Sequence, residues 1–350
     1  MIIYWTFFIV LSIFSISPLK LENELDKLLK LLFLTILAIF IGLRHEVGGD
    51  WDIYKYDFKK YSKIFSLYPL YFYKDFGYEF FQYLINKLHF EVYGLNLIQA
   101  LIFVFGLSRF CKVFANDNYW LAILISFPYL ITVVAMGFTR QSTALALILI
   151  AITYFKDNKF MIFFVFSFCA LLFHKSSSII IPFILLAGFK FNLKYMLLIL
   201  SLFLISILLI IPEIQRIETG YITKDSIYTS KGAIYRILLN ITSGIIFLIF
   251  YKKIKFEKEI NLLIIFSLIF NLILLFFIND YSTFVDRIII YFIFIQIIVF
   301  SRLFYILPKF KVLFNVFITI IYSLVYFVWF NFSIHSYAWL PYKNILINNI

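Results

Sequence analysis

Cysteine is nearly missing from this chain. Cys111 and Cys169 are the only two in 350 residues, and both fall in or beside apolar runs. A disulfide framework and a cysteine-based metal site are therefore excluded. Charge is thin, at 14% Asp, Glu, Lys and Arg, and there are only 11 glycines and 7 prolines. No glycine-rich phosphate loop closes on Lys-Ser or Lys-Thr, and neither H-E-x-x-H nor a nucleophile elbow occurs. With no nucleotide-binding domain either, the chain is not expected to use ATP or a nucleotide sugar directly. Its substrate should arrive through a membrane or at a membrane's outer surface.

What fills the space is hydrophobic: 63% of residues, including 47 Phe and 25 Tyr, for a mean hydropathy of +0.97. Such a chain suits lipid, where backbone groups must be satisfied within helices or a closed barrel. Runs such as Ile199–Ile211 lack the alternation of barrel strands, so helices are expected. The net charge of +12 would suggest nucleic acid in a soluble protein. Here the lysines form short clusters between apolar runs and no continuous basic groove, which is topology information and not a nucleic-acid interface. Ile2–Ser17 lacks a basic leader and a small-residue cleavage site, so it is read as a retained span.

The expected fold is an all-α polytopic membrane protein with about twelve transmembrane helices. They fall near 2–17, 28–43, 93–112, 119–138, 140–156, 160–174, 176–189, 194–212, 233–251, 260–278, 287–305 and 312–332. The linkers alternate in character. Lys20–Lys30, Arg109–Asn118, Lys156–Lys159, Lys190–Lys194, Lys252–Glu259 and Arg302–Lys311 hold 16 Lys and Arg against 7 Asp and Glu. By the positive-inside rule these short basic segments are cytoplasmic. The two long loops, 44–92 and 213–232, are then extracytoplasmic, and the chain 1–350 is read as a single membrane domain. Within the first loop Gly77–Phe90 has helical apolar spacing and reads as an amphipathic surface helix.

That threading puts Arg44, Asp50, Arg140, His174, Arg236 and Arg287 on one face. Gly42-Leu-Arg-His-Glu-Val-Gly-Gly-Asp-Trp-Asp-Ile-Tyr54 is the densest polar stretch. Its paired glycines permit close approach to a ligand. Arg44 offers a planar fork for phosphate oxygens, or it only snorkels to the headgroups. Arg140 sits at a tight reversal, where an arginine is costly unless it is paired or faces a wet cavity; a plain interfacial anchor is the alternative. His174, beside Lys175 and three serines, titrates near neutrality and suits a base, although capping or packing would also explain it. Arg287 begins a span with Tyr291 one turn away, and Asp286 is a possible partner at the frayed start. Arg236 opens another span. Tyr337-Ala-Trp-Leu-Pro-Tyr342 is read as part of the aromatic interface belt, Trp339 included.

At these segments the chain resembles the EpsG-like family of bacterial polysaccharide polymerases, which share a role with the Wzy O-antigen polymerases. The carriers are Leu43-Arg-His-Glu-Val-Gly-Gly-Asp50-Trp-Asp-Ile-Tyr54, Gly77-Tyr-Glu79, Phe138-Thr-Arg140-Gln-Ser-Thr-Ala144, Phe173-His174-Lys-Ser-Ser, Asp286-Arg287-Ile-Ile-Ile-Tyr291 and Pro341-Tyr342. The second Ser after His174-Lys departs from the small apolar residue expected there. The resemblance implies a multi-pass protein of the bacterial cytoplasmic (inner) membrane with its active site facing the periplasm or exterior. It implies undecaprenyl pyrophosphate-linked glycans as substrates, no cofactor or metal, and the pathway's flippase and chain-length regulator as partners besides membrane lipids. A hydroxyl of one repeat unit would attack the anomeric carbon of the growing chain and release lipid pyrophosphate. On that reading Arg140 and Arg287 hold the pyrophosphate, His174 or Asp50 is the base, and Arg44 binds phosphate or orders its loop. Tyr54, Glu79, Arg236, Asp286 and Tyr291 would orient sugar or loop.

Other classes remain open. A flippase for the same lipid-linked sugars also needs a basic cavity, but it should carry charge near mid-span and show related halves. A ligase of the O-antigen type is chemically adjacent. An acyltransferase built on His174 fits poorly with the arginine excess.

Overall fold

The computed structural model describes residues 1–17, 22–67, 75–188, 197, 199–208, 230–254 and 256–347. These residues are almost entirely helical, and their only β-type pairing is an isolated bridge between Arg44 and Asn344. Four helices are long and apolar enough to cross a membrane: Val92–Phe114 (α5), Asn116–Ala135, Lys258–Phe276 (α13) and Pro308–Phe332. A fifth is added if the bent pair Ser282–Phe292 and Phe294–Tyr305 is one span. Shorter apolar helices are Ile2–Ile16 (α1), Phe160–Phe173 (α8), Lys175–Gly188, Ile199–Leu208 and Ala233–Ile249 (α11). The chain is an all-helical membrane protein. Of the expected loop 213–232, residues 213–229 lie outside the described residues.

Helix Thr139–Lys156 (α7) forms the axis of the bundle. Nearly every side chain from Thr139 to Phe155 is buried, so it is covered on all sides by protein. Its alanines make that possible. Gly106 of α5 lies against Ala146, where an added Cβ would stand 2.7 Å from the Ala146 carbonyl oxygen. Small residues at such crossings let backbones approach, and dispersion supplies the attraction that lipid does not. The outer helices instead present large exposed apolar side chains, such as Met161 and Phe168 on α8 and Phe276 on α13.

Two spans are irregular for local reasons. Phe127–Ala135 is wound as a π-helix directly after the α-helical Tyr119–Ser126 (α6). Pro128 has no N–H to give to the preceding turn, so the ladder is re-spaced there. The expected span 287–305 is broken, with its two parts bent by 46°. Gln141 Nε2 donates to the Arg287 carbonyl at 2.6 Å. That oxygen is the acceptor an unbroken helix would use for the amide of residue 291, and a side chain inserted into the ladder is a standard cause of a kink.

The first long loop contains two helices. Phe76–Lys87 (α4) covers most of the expected 77–90 helix. It turns Phe76, Phe80, Leu84 and Leu88 outward and buries Tyr78, Glu79 and Gln82. Its polar residues therefore face protein and its apolar stripe faces away. Trp51–Leu67 (α3) was not anticipated; it buries Trp51, Tyr54, Phe58 and Tyr61 at helical spacing.

Polar contacts form a mid-bundle amide network of Asn240, Asn271 and Gln296 and two further groups toward the ends of the bundle. At one end Asn118 Nδ2 donates to Asn315 Oδ1 at 2.7 Å and to the Ser301 carbonyl at 3.1 Å, and Asn315 reaches the Ser15 carbonyl. Arg302 Nε donates to the Phe114 carbonyl at 2.9 Å, and Lys156 pairs with Glu257 at 3.4 Å. A small cavity of about 70 Å³ lies there, beside Asn118, Arg302 and Tyr305. The other end holds Arg140.

Candidate functional site

The Arg140 end is built on loop 43–50, which is clamped by residues 335–345. The His45 amide donates to the Lys343 carbonyl, the Ile345 amide to Leu43, and the Gly48 amide to Ala338, at 2.9, 3.1 and 2.8 Å. Tyr342 OH donates to the Phe40 carbonyl and Tyr4 OH to the Trp339 carbonyl, each at 2.9 Å. Trp339 is not in an interface belt. It is 2% exposed, and its indole donates to the Thr132 carbonyl at 2.8 Å because a buried N–H needs a partner. Gly48 has a φ of 110°, and a side chain there would strike the Met136 carbonyl.

Arg44 is fully buried and turns its fork inward. Nη1 donates to the Ile41 carbonyl at 2.6 Å and Nε to the Val47 carbonyl at 3.0 Å, which orders the loop. Burial pulls its pKa down to about 10, with partial compensation from surrounding tyrosines, so it stays charged at neutral pH. Asp50 and Trp51 open α3, with Asp50 half-buried. Outside the loop's core, Glu46 is held below its ordinary range by the Lys343 ammonium.

Arg140 stands at the head of α7, four residues beyond the Met136 carbonyl that Gly48 touches. Its Nη1 donates to Asp75 Oδ2 at 2.9 Å, with both side chains largely buried. The guanidinium lies 5.6 Å from the Tyr54 ring and 5.4 Å from the Tyr78 ring, a cage in which cation–π attraction adds to the ion pair. Burial pushes the Tyr78 hydroxyl's pKa well up. Glu79, also buried, bonds Tyr61, whose pKa is raised to about 12 by burial first and Glu79 second. Asp75 and Tyr78 are functional candidates that the sequence reading missed. The available signal was Asp75 immediately before the helix that Glu79 belongs to.

His174 follows α8 by one residue. Gly77 of α4 packs on Leu172 and Phe173, which brings the histidine near the Arg140 cage. His174 Nδ1 accepts from the Ser176 amide at 3.3 Å and lies 2.6 Å from Ser176 Oγ. With Nδ1 accepting, the neutral ring carries its proton on Nε2. Ser176 Oγ in turn lies 3.1 Å from Tyr291 OH, so a relay runs from His174 to Tyr291. Tyr291 lies just past Ser282–Ile289 (α14), which also carries Arg287; that arginine is joined to α7 through the Gln141 bond to its carbonyl.

Asp286 does not serve Arg287. It is held by Arg236 in a two-point ion pair, Nε to Oδ1 and Nη2 to Oδ2, both at 2.6 Å. Ser230 Oγ donates to its Oδ2 at 2.7 Å and Tyr129 OH to its Oδ1 at 3.2 Å. The Arg236 guanidinium also lies 4.4 Å from the Tyr129 ring. Arg236 on α11 meets Asp286 on α14 in the fork-to-carboxylate geometry that makes such pairs strong. Arg44 and Arg287 are then the arginines at this end without an ion pair among the described residues, and of the two only Arg287 is partly exposed, Arg44 being fully buried on backbone carbonyls. Among the described residues no three His, Cys, Asp or Glu side chains converge to hold a metal ion.

The structure thus brings all ten candidate residues to one end of the bundle, in four linked groups. A loop group holds Arg44 and Asp50. A cage holds Arg140, Tyr54 and Glu79, a relay joins His174 to Tyr291, and an ion pair joins Arg236 to Asp286 beside free-standing Arg287. Chemically, among the described residues this end offers a partly exposed arginine without an ion pair, Arg287, a caged arginine, Arg140, and an imidazole whose Nδ1 accepts a hydrogen bond. No curated protein and no solved structure matches the chain. The family model described as EpsG family matches residues 27–344. With that match spanning most of its length, the chain belongs to the EpsG family, a polysaccharide polymerase-like family.

Proposed function

We propose that this chain is a glycosyltransferase that polymerises lipid pyrophosphate-linked oligosaccharide repeat units at the extracytoplasmic surface of a bacterial cytoplasmic membrane. The observation that carries the reading is Arg287, partly exposed and without an ion pair among the described residues, beside the His174–Ser176–Tyr291 relay. A leaving pyrophosphate needs preorganised cations more than it needs a general acid. Family membership and the apolar helices support the membrane and polysaccharide parts of the reading.

In the proposed reaction a hydroxyl oxygen of the incoming repeat unit attacks the anomeric carbon of the growing chain. The bond from that carbon to the pyrophosphate oxygen breaks, and its electron pair leaves with the lipid pyrophosphate. The hydroxyl proton passes to Ser176 Oγ as Ser176 gives its own proton to His174 Nδ1. Arg287 receives the developing pyrophosphate charge, and Arg140 joins it by exchanging its contact with Asp75. Arg44 orders loop 43–50, and Asp50, Tyr54 and Glu79 position sugar or loop. Arg236 and Asp286 hold α11 against α14 and so fix Arg287.

The same reading takes the chain as one membrane domain crossing about twelve times. Four or five helices are long enough to cross, and on this reading the shorter apolar helices would cross tilted or broken. The basic Asn118 end would be cytoplasmic. The test is glycan length in cells lacking the native gene, complemented with wild type, Arg287→Ala or His174→Ala at matched membrane levels. Long chains with wild type and single repeat units with the variants are expected. If wild type leaves chain length unchanged while repeat units accumulate inside cells lacking it, the chain is a transporter.

A further inference from the structure

Buried polar atoms without partners are distributed very unevenly. Arg44 Nη2, Trp51 Nε1, Tyr78 OH, Thr139 Oγ1 and the serine hydroxyls of Ser177 and Ser178 are all orphaned at the Arg140 end. More telling are three amides nearby. Gln82 and Gln99, each 1% exposed, leave both amide atoms unbonded, and Asn96, 2% exposed, leaves its Nδ2 unbonded. Native proteins seldom leave buried amides so, and each such group calls for an explanation. Elsewhere in the bundle the amides are satisfied: Asn240 donates to Asn271 at 3.0 Å, and Gln296 donates to Asn240 at 2.6 Å.

Register brings the three amides to one wall. The turn between α4 and α5 sets Ile85 against Gly94, so Gln82, one turn back on α4, is level with the opening turns of α5 that carry Asn96 and Gln99. Gly106 meets Ala146 and, further along both helices, Arg109 Nε donates to Thr153 Oγ1, so α5 and α7 run in the same direction. Seven residues earlier on each helix are Gln99 and Thr139, the neighbour of Arg140. Tyr78, whose ring cages Arg140, shares the Gln82 face of α4 at i and i+4.

We infer that Gln82, Asn96 and Gln99 form a subsite for the sugar hydroxyls of the lipid-linked substrate, next to the cation that would take its phosphate. This rests on the polymerase reading and names where that substrate's sugar is recognised. Primary amides offer two donors and two acceptor lone pairs each, which matches hydroxyls that both give and take hydrogen bonds. No formal charge lies among the three, so an ion is not the ligand they fit. An acyl chain would leave all of them unpaired. Sites built this way reject ligands lacking the hydroxyls, because their own buried groups then stay unsatisfied.

The test uses the full chain in nanodiscs, titrated with bare undecaprenyl pyrophosphate and with the lipid-linked repeat unit extracted from cells lacking this chain. Wild type is expected to bind the repeat unit about tenfold more tightly than the bare lipid, a difference of ~1.4 kcal/mol. Gln82→Leu and Gln99→Leu should abolish that preference and leave binding of the bare lipid in place. Thermal unfolding at or above the wild-type temperature, expected because leucine removes an orphaned amide, checks that the variants fold. Where either leucine variant does not fold, Gln99→Asn, which shortens the amide's reach, reads the same loss. A preference unchanged in the variants means that water alone serves these amides and overturns the inference, as does a wild type that binds both lipids equally. A wild type that binds neither overturns the polymerase reading and this inference with it.

Discussion

Breaking the Arg236–Asp286 pair should cost far more than replacing it. Both side chains are about 15% exposed, and the carboxylate receives two guanidinium bonds, the Ser230 hydroxyl and the Tyr129 hydroxyl. Asp286→Leu removes the partner and leaves a guanidinium buried in the bundle. Removing one member of such a pair costs ~3–5 kcal/mol, whereas replacing both with apolar side chains is often neutral or stabilising by ~1–4 kcal/mol. The double variant Arg236→Met/Asp286→Leu should therefore unfold near the wild-type temperature while each single variant unfolds well below it. Thermal unfolding of purified chain in nanodiscs, run as a double-mutant cycle, measures the coupling. A coupling below ~0.5 kcal/mol would mean that the pair is solvated, and the argument from burial would fail. Polymer formation separates position from contact. If Arg236 only fixes α14, the double variant keeps chain extension; if it touches substrate, extension stays lost despite restored stability.

Arg140→Lys keeps the charge but loses the fork that reaches Asp75 between two tyrosine rings, so chain extension should fall ~10²-fold in a glycan-length assay with little change in membrane abundance. Gly48→Ala forces a methyl group against the Met136 carbonyl at a φ that favours glycine, and should cost ~1–3 kcal/mol in thermal unfolding. Trp339→Phe leaves the Thr132 carbonyl without its donor and should cost ~1–3 kcal/mol by the same measurement. Lys343 depresses the Glu46 pKa, so their clamp is present above the ordinary carboxylate value of 4.5 and is lost as pH falls through the lower folded value. Protection of the His45 and Gly48 amides, taken relative to the intrinsic exchange rate at each pH, should fall below that pH, and protection that does not change with acid would show that the clamp is idle.

Hydropathy reads well what faces lipid and poorly what does not. The expected spans 160–174, 233–251 and 312–332 coincide with helices Phe160–Phe173, Ala233–Ile249 and Lys311–Phe332, because each carries an unbroken apolar run, although only the last is long enough by itself to cross a membrane. Trp51–Leu67 escaped because lysines and aspartates dilute its average, although Trp51, Tyr54, Phe58 and Tyr61 hold a helical stripe. The break within 287–305 had no local signal at all, since its cause is Gln141, which lies 146 residues earlier. The arginines were legible as charges placed where charge is costly, but their partners were not. Asp75 reaches Arg140 across 65 residues, and Asp286 reaches Arg236 across 50. Trp339 was misjudged for a related reason. An aromatic residue near a span end looks the same in sequence whether it meets headgroups or a carbonyl 207 residues away.

The clamp on loop 43–50 also sets a schedule. Its partners, Ala338 through Ile345, are translated about 300 residues later, and contacts of such long separation form only when both strands of the pairing exist. Arg44 can reach its local carbonyls early, but the loop it orders cannot be clamped while the ribosome is still delivering the middle helices. Until residues 338–345 have been delivered, a chain already in the membrane has its arginines inserted but no clamped loop to face them.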